Sequence, residues 1–390
     1  MSFKDLLDKY NNENASEEEI KLIEEELDKH EAIEDYLSEK YNIGFEKDNL
    51  HLSTYNETTF VKRSVNKRLR NVILASVSIV FLILFIIYFI VSPIVSSLYY
   101  NPSQKTVGKG NEDLYFDLRV FTELTLPGYA INTAGSEKLG FGGYNIYFER
   151  SNLFNRERSN INAKIKRNII TGNFESFFAG RYFSFFDTTQ PDPNRDELIE
   201  MQNKIAIDHI KALNSVSYIA CGIVFKEDLS VEEFNKSTVK YFTKINFKWL
   251  GIRTESQGKP TNDLSGFNPN FDDGYDSRYS ADKNKYPYLQ LGDVMRDRGD
   301  KRISFSEAYT EHFTSLLKYM NGREKAVRAL GYKSVDVDYY KNALNYVEKN
   351  GVNIYGVLIY GEARDVLEFI SNQEINTIRV NSVLPSKYIN

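Results

Sequence analysis

The sequence predicts an α+β protein in three parts: a short helical hairpin, a single transmembrane helix and a large outer α+β region. Three observations predict it. Residues 72–91 form a run of twenty without a charge. Residues 20–41 carry apolar side chains at helical spacing within an acidic surround. A strand–helix–strand unit occurs twice, at 216–252 and at 353–383, which is the ingredient of a ferredoxin-like split βαβ sandwich. The expected divisions are a cytoplasmic helical partner-binding segment (1–48), a basic juxtamembrane linker (49–70), the spanning helix (71–98), a β-rich part plus a helix (99–215) and an α+β domain of two βαβ units (216–384).

Twenty helical residues cover about 30 Å, the thickness of a bilayer's hydrocarbon core. A helix also satisfies its own backbone groups, which lipid cannot do. A secretory signal starts near residue 1 and has a shorter apolar region; this run begins after some seventy residues, so it reads as an anchor. Direction follows from the flanks. Lys62, Arg63, Lys67, Arg68 and Arg70 precede the run with no acidic residue among them, whereas residues 92–110 hold only Lys105 and Lys109. An excess of Lys and Arg marks the cytoplasmic side. The expectation is a single-pass cell-membrane protein with its N-terminus in the cytoplasm and its C-terminal region outside. Tyr99 and Tyr100 sit where an aromatic belt belongs, and Pro93 is expected to weaken the helix near its outer end.

The net charge of −5 hides an asymmetry: residues 1–50 hold sixteen Asp or Glu against six Lys, while residues 61–70 carry +5. So acidic a head speaks against direct binding of nucleic acid. Within it, Phe3, Leu6, Leu7 and Tyr10 share one face of a first helix. Ser16 and Glu19 have the spacing of a capping box that opens a second. Its stripe runs Ile20, Ile23, Leu27, His30, Ile33, Leu37, Tyr41, with Glu24, Glu25, Asp28 and Glu31 largely on other faces. Two such short helices bury too little to fold firmly alone. They are expected to dock, apolar face first, in the groove of a cytoplasmic protein. Residues 42–61 lack periodicity and read as a linker.

In the outer region, residues 114–125, 144–150 and 182–186 read as β-like, punctuated by turns at Pro127-Gly128 and Gly142-Gly143. A helix is expected through Leu198, Met201, Ile205 and Leu213. Strands are expected at 216–225, 247–252, 353–360 and 377–383, and helices at 231–242, opened by Ser230, and 362–370. Between the two units lie a Gly/Asn/Asp-rich loop near 256–284 and helices near 305–330 and 337–348.

Signals for catalysis are weak. The chain has no G-x-S-x-G, P-loop or H-E-x-x-H. One cysteine, Cys221, rules out an internal disulfide and a Cys-based zinc site, and its apolar neighbours mark it as a core residue. His209 and His312 have no second His at ligand spacing. In NPNFDDGYDS an EF-hand register on Gly274 puts Pro269 and Phe271 at ligand positions, so that template fails. The sequence therefore implies no cofactor, no metal and no enzyme activity. The alternatives are a single-pass envelope receptor or scaffold and a membrane-tethered surface hydrolase; the latter requires a deep outer pocket with converging carboxylates.

FKDLLDKYNNENASEEEIKLIEEELDKHEAIEDYL, VKRSVNKRLRNVILASVSIVFL and LYYNP resemble the N-terminal part of the membrane-bound sigma-factor regulators of Gram-positive bacteria. VSYIACGIVFKEDLSVEEFNK, INFKWLGIRT and IYGVLIYGEARDVLEFI resemble their C-terminal domain. The likeness covers the first 100 residues and roughly 216–384. It implies an anti-sigma factor that holds an extracytoplasmic-function sigma factor at the membrane, with a protease or a second membrane regulator as a further partner in release. Residues 1–70 contain no Cys, so the zinc-binding subtype does not fit, and sigma binding would rest on the helical stripes.

Overall fold

The computed structural model describes residues 3–11, 15–41, 54–172, 174, 177, 195–256, 265–270, 279–296, 303–331 and 338–387. The chain divides into two compact units, Met1–Leu82 and Ile83–Asn390.

In the first unit, α1 (Phe3–Asn11) and α2 (Glu17–Tyr41) form the expected pair of helices, and α3 begins at Thr54 and runs to Phe85. The linker reading of residues 42–61 is corrected at its end, because residues 54–61 are helical; residues 42–53 lie outside the described residues. No Gly or Pro falls between Thr54 and Ser92, so nothing terminates a helix that the apolar run propagates backwards.

Past Phe85 the helix widens into a π-helical stretch, Ile86–Val91, before α4 (Ser92–Leu98). Pro93 explains the widening. Its ring cannot accept a carbonyl in the ordinary i−4 position, and Ser92 N–H reaches back to Ile87 O, a five-residue bond. Pro93 is thus absorbed without breaking the helix.

In the second unit, α5 (Asp113–Thr125) precedes a four-stranded antiparallel meander of β1 (Tyr129–Gly140), β2 (Gly143–Asn152), β3 (Arg158–Lys166) and β4 (Ile169–Gly172). The β-like reading of residues 114–125 is wrong. The segment is a helix buried on nearly every side: Leu114, Tyr115, Phe116, Leu118, Val120, Phe121 and Leu124 all lie in the core. Its polar residues Asp113, Asp117 and Thr122 are buried along with the apolar ones, so no solvent-facing polar stripe marks the helical period. The strand at 144–150 and both turns are as expected; residues 182–186 lie outside the described residues.

After α6 (Arg195–Ala212), the second sheet is built from β5 (Tyr218–Ser230), β6 (Ile245–Ile252), β7 (Gly266–Phe267), β8 (Asn353–Glu362) and β9 (Ile375–Leu384), in the order β7-β6-β8-β5-β9. Helix α7 (Val231–Thr238) joins β5 to β6, and α12 (Ala363–Ser371) joins β8 to β9. The four long strands pair antiparallel, so the two βαβ units interlock instead of standing as separate lobes. Helices α8 (Leu291–Arg296), α9 (Phe305–Asn321), α10 (Glu324–Leu330) and α11 (Tyr339–Asn350) fill the insertion between the units.

The central strands are covered on both faces, which is why they read as unbroken apolar runs. On one face Ile219, Cys221, Ile223, Val357 and Ile359 join a core that extends to Phe234, Phe369 and the meander. On the other, Tyr218, Ala220, Trp249, Leu358 and Tyr360 pack beneath Phe154 of the β2–β3 turn. Phe154 stacks on Tyr218 at 5.5 Å between ring centres. Edge strand β9 is tied to α6, whose Asn203 side chain donates to Asn376 O at 2.7 Å and accepts from Ile378 N at 2.8 Å. Helix α7 opens with a capping box: Ser230 Oγ accepts from Glu233 N at 3.2 Å and Glu233 Oε2 accepts from Ser230 N at 2.8 Å.

A Cβ on Gly266 would strike the carbonyl of Leu250 and the ring of Trp249. Neither can move, since one is ladder backbone and the other fills the second face. Gly266→Ala is therefore expected to cost about 1–3 kcal/mol, read as a lower thermal midpoint of the purified chain.

Candidate functional site: a helical hairpin and a helix exit

The hairpin is held by its capping. Ser16 Oγ accepts from Glu19 N at 3.4 Å, and Glu19 Oε2 accepts from Ser16 N at 3.0 Å. Lys9 Nζ reaches Glu19 Oε1 at 2.9 Å and ties α1 to α2. The Ser16 amide bond, then Lys9, lowers the Glu19 carboxyl below its usual range.

The expected contact residues separate into two groups. Ile23 is completely buried, and Leu6, Leu7 and Ile20 are half-buried, so these line the seam within the hairpin. Leu27, Ile33 and Leu37 are 46, 54 and 44% exposed, and Tyr10 is also exposed. Length explains the split: α1 has 9 residues and α2 has 25. At 1.5 Å per residue the shorter helix covers only the first turns of the longer. Two exposed residues, Leu22 and Tyr36, escaped the sequence reading. Tyr36 had a usable signal, its three-residue step from Ile33; Lys40 Nζ lies 5.4 Å from its ring centre. Phe3, Lys62 and Arg63 have helical backbones, but their side chains lie outside the described residues; Lys67, Arg68 and Arg70 are exposed. Helix α2 carries eleven acidic residues against three Lys. An open apolar stripe framed by negative charge suits a basic partner with an apolar groove.

Residues 65–98 form the one helix among the described residues that is long and apolar enough to cross a membrane. Its most apolar window is not buried by the protein, unlike the core helix of a globular domain. The second unit clasps its end. Ser92 Oγ accepts from Phe141 N and Ser96 Oγ from Gly142 N, both at 3.0 Å. Gly142 takes φ of +74°, and a Cβ there would press on the Tyr99 ring. Tyr100 N donates to Asn168 Oδ1 at 2.7 Å, and Lys325 Nζ donates to Ser97 O at 2.8 Å.

Beyond the clasp lies a buried polar network that no motif announced. Asp117 accepts from Tyr100 Oη (2.7 Å), Tyr319 Oη (2.6 Å), Arg323 Nε (2.8 Å) and Arg323 Nη2 (2.7 Å). Asp113 accepts from Thr106 N (2.7 Å), Thr106 Oγ1 (2.6 Å), Val107 N (3.1 Å) and Arg323 Nη1 (3.2 Å). Both carboxylates are wholly buried. They are saturated by protein donors, so they hold the fold together and are not presented to a substrate. His312 is likewise engaged, between Tyr288 O and Glu123 Oε1 at 2.9 Å each. Among the described residues no cluster of His, Cys, Asp or Glu is placed to hold a metal ion.

Burial, then the charge of Asp117, pushes the Tyr100 phenol well above the usual tyrosine range, and the same two causes act on Tyr319. A raised folded-state pKa contributes fully below the unfolded value of about 10. Above that pH the unfolded chain loses these protons first and stability falls. The thermal midpoint is expected to drop as pH rises past about 10, and less steeply in Tyr100→Phe than in the wild type.

A capped acidic hairpin, one helix long and apolar enough to cross a membrane and a two-sheet body make this a mixed α+β chain with a candidate membrane anchor. Residues 210–382, from the end of α6 into β9, match the sequence model of the sigma factor regulator C-terminal family. Over 392 positions the chain is 25% identical to the probable anti-sigma-M factor YhdL of Bacillus subtilis (strain 168), an alignment covering 98% of this chain and 97% of that protein. No solved structure matches the chain significantly.

Proposed function

We propose that this chain is a transmembrane anti-sigma factor. Its cytoplasmic hairpin sequesters a sigma factor of the extracytoplasmic-function class, and its α+β body stands outside as the sensory part. The observation that carries this reading is the stripe on α2: Leu27, Ile33 and Leu37 stay open to water beside a seam that is already filled. An amphipathic helix with an unused apolar face is stabilised by a partner. The end-to-end likeness to an anti-sigma factor supports a sigma factor as that partner. The acidic surround would speed encounter with a basic protein more than it tightens the complex.

Orientation rests on the basic flank, of which Lys67, Arg68 and Arg70 are exposed on α3. Release would come through a protease or a second membrane regulator, or through a change in the outer body. Two experiments test the reading. Tagged residues 1–70 should capture a sigma factor from a lysate of the source cells; capture of another cytoplasmic protein instead would select the scaffold reading. Protease added to intact protoplasts should digest the C-terminal body and spare the hairpin; the reverse pattern would overturn the topology.

A further inference from the structure

The helix exit fixes the depth of two hairpin tips. Ser92 is the first residue after the uncharged run 72–91. On the membrane reading above, it lies where hydrocarbon gives way to headgroups, and Ser96 lies one turn, about 6 Å, farther out. The headgroup layer on each side is about 5–8 Å thick. Phe141 and Gly142, bonded through their backbone N–H groups to these two serines, therefore hold the β1–β2 tip within that layer. Arg167 N donates to Gly142 O at 2.9 Å and brings the β3–β4 tip to the same level. Pairing of Gly143 with Lys166, and of Lys166 with Ile169, sets these residues side by side at one end of the meander.

The chemistry of the tips suits that depth. Leu139 and Ile169 are 38 and 66% exposed, the latter among the most exposed large apolar residues of the body. Lys138, Lys166 and Arg167 are exposed around them. None of these three has a side-chain hydrogen bond or ion pair among the described residues. The acidic neighbour, Glu137, accepts from Asn145 Nδ2 at 3.2 Å. Beside the helix an open cleft is lined by Tyr88, Ser92, Ser96, Gln104, Lys138 and Tyr144, which offer hydroxyls, an amide and one cation at headgroup level.

We infer that these two tips form a second membrane contact: Leu139 and Ile169 enter the interfacial layer beside the spanning helix, and Lys138, Lys166 and Arg167 engage the phosphates of anionic phospholipids. The apolar pair supplies insertion, as in interfacial segments generally. Each cation near an anionic surface favours the seated state by about fivefold. Lipid is the occupant because the tips are bonded to the end of the span itself, an inference that rests on the membrane reading of that span.

The test uses the intact chain in vesicles of phosphatidylglycerol or phosphatidylcholine, with an environment-sensitive fluorophore on Ile169→Cys. A second label, on Asn155→Cys, marks the β2–β3 turn at the other end of the meander. Cys221 does not compete, being fully buried with its thiol pushed up to about 12 by desolvation. The label at 169 should show blue-shifted emission and several-fold quenching by bromines on the acyl chains, more strongly in phosphatidylglycerol; the label at 155 should report water. The triple change Lys138→Gln, Lys166→Gln, Arg167→Gln should abolish the preference for phosphatidylglycerol. A water-like signal at 169 in both lipids, or a preference that survives the triple change, would overturn the proposal. Retention of the chain through alkaline carbonate washing separates that failure from failure of the membrane reading. If the wash extracts the chain, the span itself is disproved and the tips with it.

Discussion

Replacing Asp117 by Ala is expected to lower the stability of the second unit by about 3–5 kcal/mol, read as a fall in thermal midpoint of roughly 5–8 °C. The reason is what remains behind. Arg323 directs two N–H groups at Asp117, and the phenols of Tyr100 and Tyr319 each donate to it. Without the carboxylate, a guanidinium whose side chain is only 15% exposed keeps most of its desolvation cost and loses its strongest acceptor. An exposed pair supplies the contrast: Arg328→Ala breaks the bond to Glu324 at 2.7 Å and should change stability by less than about 1 kcal/mol. A midpoint for Asp117→Ala within the scatter of Arg328→Ala would refute the role assigned to the network.

The second large effect is on binding. Ile33→Asp and Leu37→Asp should each weaken capture of the sigma factor by about 10–150-fold, the value of burying one such side chain at about 1.5–3 kcal/mol. Neither residue is needed for the hairpin seam, so helix content by circular dichroism should stay unchanged. Ile23→Asp should lose both capture and helix content, since Ile23 is sealed inside the seam. The sequence alone treats Ile23 and Leu27 as equivalent anchors; the structure makes Ile23 an internal support and leaves Leu27 on the open face. Undiminished capture by Leu37→Asp would place the contact elsewhere on the hairpin.

Local pattern made much of this fold legible. The Ser16/Glu19 spacing foretold a real cap, and the repeated strand–helix–strand unit foretold β5, α7, β6, β8, α12 and β9, although β5 runs five residues past its expected end and α7 stops four short. Helix α5 was not legible, because most of its polar residues are buried with its apolar ones and no solvent-facing stripe marks the helix. Nor was the buried network: Arg323 and Asp117 stand 206 residues apart, and only the tertiary fold joins them. On the hairpin, spacing located the stripe but carried no information on how far α1 reaches along α2. That reach decides which residues stay open.

The grip on the C-terminal end of the helix has a mechanical consequence. Ser92 and Ser96 are one turn apart on a single side of the rod, and the same loop grasps both. Lys325 pins a carbonyl at the rod's tip, and Asn168 holds the chain just past it. A shaft keyed in this way cannot spin freely in its socket. Torque on the body passes into the shaft, and swivelling between them requires those bonds to break.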